Sequence, residues 1–334
     1  MDRMNRARLK AVMPLLIGVA AMAAVLGVLA TGPLAVTPAA LFSALFGRGS
    51  AEAELALALR APRLLAALMT GAGLAGAGAG FQILFRNPLV APDLLGVSSG
   101  AGLGAALALL FGAGILGVQG AAFVGGLAAA TLALGCAGLA RAVDARLALV
   151  LCGLVAGALA SAGLGLVVVI AEPYSQLPAV TYWLLGSFTR ATLSEALIAL
   201  VPTAVGAAVL LWLGFRLDVL SLGDEQARSL GLPAGRLRLL AIAAATLMTS
   251  AAVAVAGVVG WIGLLAPHAA RRLVGERAGR LIPAAMATGA VLALVIDRLS
   301  TAFGPAEIPA GLLAAAVGAP AFLWLFVVSS RRRP

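Results

Sequence analysis

The chain has 334 residues, of which 62% are hydrophobic and only 11% are charged, and its mean hydropathy is +1.09. A water-soluble domain of this length does not need so large an apolar fraction for its core, so the composition excludes a soluble enzyme and indicates a protein whose main solvent is lipid. The net charge of +10 would suit a nucleic-acid surface, but the basic residues cluster at the ends of apolar runs.

The chain begins with a short basic segment that leads directly into an apolar run. Arg3, Arg6, Arg8 and Lys10 precede this run, an order that a cleaved signal peptide would share. The run is too long for a signal peptide and lacks a clear small-residue cleavage motif, so we interpret it as an uncleaved first membrane span.

Apolar runs separated by short polar breaks continue along the chain. Because a helix needs about 20 apolar residues to cross a hydrocarbon core of about 30 Å, these runs predict about ten membrane-spanning helices. The 41 glycines and abundant alanines favour helices that approach one another closely. The predicted spans are approximately 11–30, 62–82, 94–111, 118–140, 147–170, 193–214, 239–257, 258–273, 281–297 and 308–328.

The boundary between the seventh and eighth predicted spans is unusual. Gly257, Gly260, Gly263 and Pro267 weaken regular helix at membrane depth. We therefore expect a broken or short helix over 257–267, with its backbone covered by protein or lining a cavity.

The distribution of Arg and Lys predicts the orientation, because loops kept in the cytoplasm are enriched in these residues. With the N-terminus inside, cytoplasmic segments hold 18 of the 23 basic residues. The opposite side holds only Arg48, Arg60, Arg63, Arg190 and Arg298. This asymmetry predicts an even number of crossings with both termini cytoplasmic, and it makes the positive charge a topology signal rather than a nucleic-acid surface.

Three loops are long enough to do more than turn, namely 31–61 and 171–192 on the outer side and 215–238 on the cytoplasmic side. The last contains the polar sequence LGDEQARSLGLPAGR, which predicts a short amphipathic surface helix that ends at Pro233. The chain is thus predicted to be all-α, a polytopic transmembrane helical bundle with a single domain over 1–334.

Several kinds of chemistry are excluded by residues that the sequence lacks. Lys10 is its only lysine, so no G-x-x-x-x-G-K-[ST] phosphate loop exists and the chain cannot hydrolyse ATP by itself. His268 is its only histidine, and Cys136 and Cys152 lie apart in apolar stretches, which indicates neither a metal site nor a disulfide framework. The predicted spans carry essentially no ionisable residue near their centres, which disfavours proton coupling, although sodium coupling through backbone carbonyls stays open.

Three stretches of the sequence resemble one family. They are RAPRLLAALMTGAGLAGAGAGFQILFRNPLVAPDLLGVSSGAGLGA from Arg60 to Ala105, LGDEQARSLGLP from Leu222 to Pro233, and GWIGLLAPHAARRLVG followed by AEIPAGLLAAAVGAPAFLWL within 260–325. In consistent order from about residue 15 to 328, the chain resembles the FecCD-type permeases. These are the membrane subunits of type II ATP-binding cassette (ABC) importers for iron-siderophores, haem and vitamin B12.

The resemblance implies a ten-helix permease of the bacterial inner membrane that pairs with a second permease subunit, identical or paralogous, around a central pathway. Two cytoplasmic ATPase subunits, which hold the ATP and magnesium, would drive it, and a periplasmic substrate-binding protein would deliver the cargo. No cofactor, metal site or catalytic residue is expected in this chain itself.

The resemblance also implies roles for two pairs of residues. Arg60 and Arg63 match the arginines that dock the binding protein, although their long stems could instead cover apolar surface at the membrane interface. Asn87 and Leu89, within the sequence RNPL, match the cytoplasmic gate, although Asn-Pro is by itself an ordinary turn. The role of Arg298 stays open, because the spacing that follows it departs from the family pattern.

The surface helix predicted within 215–238 resembles the segment that couples such permeases to their ATPases, and its alternative is a solvated loop with balanced charges. His268 has a simpler interpretation as a structural or capping residue, and Glu307 as a carboxylate at a helix N-terminus. The predicted coupling residues are Gly223, Asp224, Glu225, Gln226, Ala227, Arg228, Ser229, Leu230, Gly231 and Leu232.

We therefore expect an importer permease, not an enzyme, that moves an intact iron chelate, either a ferric siderophore or haem, from periplasm to cytoplasm. One histidine and two separated cysteines cannot assemble a set of ligands that competes with a chelator for Fe(III). A vitamin B12 or corrinoid importer is the alternative. An ion-coupled secondary transporter is disfavoured by the lack of mid-membrane carboxylates, and a membrane-embedded enzyme by the lack of a catalytic constellation.

Overall fold

A computed structural model of the protein describes residues 36–44, 46–139, 144–302 and 307–330. Regular structure in these ranges is entirely helical, which confirms the predicted all-α class. The first predicted span, 11–30, lies outside the described residues. The helices are α1 Pro38–Ala44, α2 Ala51–Phe85, the 3₁₀ helix η1 Pro92–Leu95, α3 Val97–Leu110, α4 Ile115–Leu139, α5 Ala145–Ile170, α6 Gln176–Leu184, α7 Leu193–Trp212, α8 Gly214–Leu220, α9 Asp224–Ser229, α10 Ala234–Ala256, α11 Ile262–Val274, α12 Ala278–Ala302 and α13 Ala310–Ser330.

Six of the described helices are long and apolar enough to cross a membrane, namely α2, α4, α5, α7, α10 and α12. Helix α3 and the apolar part of α13 are shorter. Every predicted span from the second to the tenth coincides with a helix, so the predicted order of elements is confirmed over these ranges. The extra helix α6, within the predicted outer loop 171–192, was not predicted.

Helix α2 is much longer than predicted, because it begins at Ala51 rather than near residue 62. The Ser50 hydroxyl accepts a hydrogen bond from the Ala53 amide at 3.3 Å and so caps the new start of the helix. Pro62, where the predicted span begins, therefore lies inside the helix, and the expectation that it starts the helix is wrong. The two arginines beside it project from the body of α2 rather than from its end.

Helices α2 and α10 form the centre of the bundle, whereas α4 and α5 leave most of their apolar surface exposed. The close crossing of α2 and α12 depends on two glycines. A β carbon on Gly71 would lie 2.2 Å from the Gly289 carbonyl oxygen, and one on Gly289 would lie 2.3 Å from the Gly71 carbonyl oxygen. Any larger side chain would separate the helices, which is how small residues promote packing in lipid.

The predicted break between the seventh and eighth spans is present as a non-helical segment over 257–261. Neighbouring backbone segments cover it. The Ser187 amide donates to the Ala256 carbonyl at 2.9 Å, and a β carbon on Gly257 would lie 2.3 Å from the Trp183 carbonyl oxygen. The expectation that protein covers the broken backbone is thus confirmed.

The segment between α2 and α3 turns back into the bundle before α3 begins. At Gly96, with φ of +71°, a β carbon would lie 2.6 Å from the backbone nitrogen of Gly157. A β carbon on Gly153 would lie 2.2 Å from the Leu94 carbonyl oxygen. Since Gly157 is at the middle of α5, η1 and the start of α3 lie near the middle of the bundle. We call residues 87–96 the re-entrant segment.

Candidate functional site

The predicted surface helix is present as α9, at one end of the bundle that we call the α9 end. Ala227 is completely buried against the bundle, whereas Glu225, Arg228 and Leu230 are exposed. The helix is thus seated by one small apolar residue and offers charged and apolar groups outwards. Such a surface suits contact with another protein.

Asp224 at the start of α9 joins two helices that are distant in sequence. Its carboxylate accepts a hydrogen bond from the Arg238 guanidinium on α10, and it lies 3.7 Å from the guanidinium of Arg146 on α5. The hydrogen bond from Arg238 holds the pKa of Asp224 below its usual value. The carboxylate therefore stays ionised at neutral pH and ties α9 to both helices.

A second link runs from this end to the re-entrant segment. Arg86, which ends α2 with φ of +51°, donates from its guanidinium to the Leu220 carbonyl at 3.1 Å, just before α9. Gly223 has φ of +143°, and a β carbon there would lie 3.2 Å from the Arg86 guanidinium. Arg86, the residue that precedes Asn87, is therefore in contact with the segment that leads into α9.

The predicted gate residues Asn87 and Leu89 lie at the beginning of the re-entrant segment, and both are exposed at the α9 end. The side-chain oxygen of Asn87 accepts a hydrogen bond from the Leu89 amide at 2.9 Å, which fixes the turn. The residues therefore occupy a position from which a small backbone rotation would move Leu89 relative to the bundle.

Gln82 anchors the next part of the re-entrant segment and was not identified from the sequence. Its buried amide nitrogen donates to the carbonyls of Val90 and Leu264, each at 3.4 Å. Its oxygen accepts a hydrogen bond from the guanidinium of Arg271 at 3.0 Å. The amide thus satisfies backbone groups of two interrupted segments. Its polar side chain inside the apolar run of α2 was the signal available in the sequence.

At the opposite end of the bundle, which we call the Arg63 end, one arginine is held by two carboxylates. The Arg63 guanidinium lies 2.6 Å from the carboxylate of Asp297 and 3.0 Å from that of Glu307. It also donates to the Ser300 hydroxyl at 2.9 Å. Asp297 is only 2% exposed, so the pair closes the contact between α2 and α12.

Glu307 precedes α13 and joins it to this cluster. Besides contacting Arg63, its carboxylate accepts a hydrogen bond from the Thr189 hydroxyl in the segment after α6. Its carboxylate thus bridges α2 and the segment after α6 in front of α13. The capping role expected from the sequence stays a prediction. Arg60, one turn before Arg63, is partly exposed on α2.

The residues that suggested no chemistry in the sequence have ordinary positions. Cys136 and Cys152 are free thiols of intermediate exposure. Among the described residues no group of three or more His, Cys, Asp or Glu side chains could hold a metal ion. His268 lies in α11, next to the buried Pro267.

A bundle of apolar helices with a re-entrant segment inside it and a polar surface helix at one end defines a multi-pass membrane transport protein. The model of the FecCD transport family matches residues 16–328, and the chain belongs to this family. It is therefore a membrane permease of a bacterial ABC importer and not an enzyme, which confirms the resemblance seen in the sequence.

Relatives with several cargoes lie at similar distances. The chain is 38% identical to the Fe(3+)-citrate import system permease protein YfmE of Bacillus subtilis, with 90% of each chain covered. It is 36% identical to the molybdate import system permease protein MolB of Haemophilus influenzae, over 79% of this chain and 78% of that protein. A solved structure described as an inward-facing conformation of an ABC transporter assigned to the metal-chelate type superposes with a TM-score of 0.85, at 31% identity, over 94% of this chain and 98% of that chain.

Proposed function

We propose that this permease moves an intact iron chelate, a ferric siderophore or haem, from the periplasm to the cytoplasm. As an ABC importer permease it works with ATPase and binding-protein partners. The assembly that we propose contains a second permease subunit, two cytoplasmic ATPase subunits that bind ATP and magnesium, and one periplasmic binding protein. A vitamin B12 or corrinoid cargo is the alternative.

The proposed topology has ten spans with both termini in the cytoplasm. It is supported by the excess of basic residues in the segments predicted to be cytoplasmic, which include the segment that contains α9. Such residues are retained on the cytoplasmic side. In this orientation the α9 end is cytoplasmic and the Arg63 end is periplasmic. The six long apolar helices and the two shorter ones are compatible with it.

Coupling to the ATPases is assigned to Gly223 through Leu232. The exposed side of α9 supports this assignment, since Glu225, Arg228 and Leu230 project from a helix seated on the bundle by Ala227. Through the contacts of Asp224 with Arg146 and Arg238, a displacement of α9 would also displace α5 and α10.

Docking of the binding protein is assigned to the surface around Arg60 and Arg63. The partly exposed Arg63 is held in one orientation by Asp297 and Glu307, so little conformational entropy remains for it to lose on binding. Arg60 extends the basic surface one turn further along α2. A carboxylate on the binding protein would be an appropriate partner for this surface.

The gate is assigned to Asn87 and Leu89. Its support is the pair of anchors on either side, the Arg86 contact with Leu220 and the Gln82 contact with Val90. These anchors place an exposed turn between a segment next to α9 and a segment in the middle of the bundle. Movement of α9 can thus reach the turn through a single hydrogen bond.

The choice of an intact chelate rests on one observation, the lack of ligands with which the chain could take the metal from its chelator. The sequence has one histidine and two separated cysteines, and among the described residues no group of three or more His, Cys, Asp or Glu side chains could hold a metal ion. The test is uptake into vesicles that contain the full complex, with a siderophore labelled on both iron and ligand. Equal accumulation of both labels supports the proposal. Iron without ligand inside the vesicles would refute it, and exclusive uptake of cobalamin would favour the alternative.

A further inference from the structure

Asp93 is a carboxylate at membrane depth, although it follows the gate by only a few residues. It lies in η1, three residues before Gly96, which contacts the middle of α5. The next residue after Gly96, Val97, contacts Gly126 at the middle of α4. Both α4 and α5 are long and apolar enough to span a membrane. Three residues of 3₁₀ helix rise about 6 Å, so Asp93 is well inside a hydrocarbon half-thickness of about 15 Å.

The side chain of Asp93 is exposed on the surface of the single subunit. Its carboxylate accepts a hydrogen bond from the Ser98 amide at 2.7 Å, so it caps the first turn of α3. Two further polar side chains lie on the helices that η1 packs against, where the hydroxyls of Ser99 on α3 and Ser161 on α5 are 3.3 Å apart. Ser161 is also exposed. The surface where η1, α3 and α5 meet therefore carries polar side chains at the level where lipid would be most apolar.

A carboxylate that faced lipid at this depth would be costly, by about 2.5 to 3.5 kcal/mol even on the most lenient scale. Charged residues in membrane proteins instead face water-filled cavities or other protein. A helix cap alone does not need the charge, since asparagine caps a helix as well as aspartate does. The ionisable group at this position thus indicates a surface that faces water or a partner subunit rather than lipid.

We propose that Asp93 lines the translocation pathway and selects cargo by charge, with Ser99 and Ser161 as its polar neighbours. Its negative charge favours chelates of zero or positive net charge, and it opposes polyanionic chelates and oxyanions. This inference rests on the proposed function and narrows its cargo class. Molybdate, the cargo named for one relative, is an oxyanion of the kind that this charge would oppose.

The test measures the electrostatic potential at the surface around Asp93, Ser99 and Ser161 without any cargo. Ser161→Cys is introduced into the chain with Cys136 and Cys152 replaced by alanine, and the full complex is reconstituted in vesicles. Rates of reaction are compared for a cationic and an anionic methanethiosulfonate of similar size. Asp93→Asn is then added, which keeps the cap on Ser98 but removes the charge. Ser99→Cys is a second reporter in case the first variant does not fold.

The matched control is Asp144→Asn, because Asp144 is an exposed helix cap that accepts from the Arg146 and Leu147 amides but lies at the end of α5. We expect the cysteine to react from water, and the ratio of cationic to anionic rates to fall about threefold or more with Asp93→Asn but not with Asp144→Asn. An unreactive cysteine at both reporter positions, or an unchanged ratio, would overturn the inference.

A transport arm separates this inference from the proposed function. In the same vesicles, Asp93→Asn should raise uptake of ferric citrate relative to the cationic chelate ferrioxamine B. If the wild-type complex transports a chelate but neither the thiol ratio nor this preference responds to Asp93→Asn, only the role of Asp93 fails. If no chelate is transported with ATP, the proposed function itself fails. Equal loss of all transport, with loss of subunit assembly, would show that Asp93 is an interface residue instead.

Discussion

Replacing Asp297 by asparagine removes one charge from the most buried ion pair described in the protein. The Asp297 carboxylate is 2% exposed and lies 2.6 Å from the Arg63 guanidinium. Breaking a buried pair typically costs about 3 to 5 kcal/mol, because it leaves an uncompensated charge. Here the arginine keeps Glu307 at 3.0 Å, and asparagine still offers an oxygen for the hydrogen bond. We therefore expect a loss of about 1 to 3 kcal/mol.

Thermal unfolding of the purified complex in detergent measures this loss. Domains of about 150 to 250 residues lose roughly 2 to 4 °C per kcal/mol, so we expect Asp297→Asn to lower the melting temperature by about 2 to 12 °C. The asparagine variant of Asp144, an exposed cap, should change it little, since asparagine and aspartate cap helices equally well.

A double-mutant cycle then assigns the loss to the pair. Arg63→Leu leaves Asp297 without its guanidinium, so the double variant should be more stable than the sum of the two single changes predicts. If Asp297→Asn melts at the same temperature as the wild type, or if the stability losses of the two variants simply add, the carboxylate does not hold Arg63 in the folded protein. The account of the Arg63 end as a closed junction of α2, α12 and α13 would then be wrong.

Four other changes have definite expected outcomes. Reversing both exposed charges of α9, with Glu225→Arg and Arg228→Glu, should uncouple or disassemble the ATPases, and normal ATP-driven uptake would contradict the coupling assignment. Arg60→Glu should weaken binding of the substrate-binding protein by about 2 to 5 kcal/mol if the contact is buried, and by much less if it lies at the rim, as measured by titration at low salt; unchanged affinity leaves only a lipid-interface role. Gly96→Ala should lower the melting temperature strongly, because the added β carbon would meet the backbone of α5 and because a left-handed φ is unfavourable for alanine. The two effects together should cost roughly 2 to 5 kcal/mol of stability. A normal melting curve would refute the close approach of Gly96 to α5. Asp224→Asn should lower the melting temperature at pH 7. Because the pKa of Asp224 is lowered in the folded protein, the difference in melting temperature from the wild type should persist down to about pH 4 and vanish only below it. A difference that is already absent at pH 6 would rule out the ion pair.

The order of the helices could be predicted because apolar runs are local in sequence. The same holds for the break at Gly257 and for α9, which glycines and a polar amphipathic stretch mark directly. The start of α2 could not be placed, since the residues after Ala51 are mostly apolar or helix-forming but too charged for a span. Composition alone does not distinguish a helix that continues into the interface from a loop.

Contacts between distant residues were beyond the sequence. Nothing in the pattern pairs Arg63 with Asp297, which are 234 residues apart, so the arginine was interpreted only as a docking or interfacial residue. The depth of Asp93 was missed for a related reason. The predicted third span begins at residue 94, which left Asp93 in a turn, whereas the glycine contacts of η1 with α5 carry that turn into the middle of the bundle.

The covered break between α10 and α11 has a consequence for how the family could diversify. Three chain segments meet there through main-chain hydrogen bonds, as in the bonds from Ser187 to Ala256 and from Gly311 to Leu185. Amide and carbonyl groups are the same in every residue, so these bonds need only residues that leave room for them, as Gly257 and Gly311 do. Side chains outside these close contacts can therefore change to suit a different cargo while the main-chain bonds stay the same.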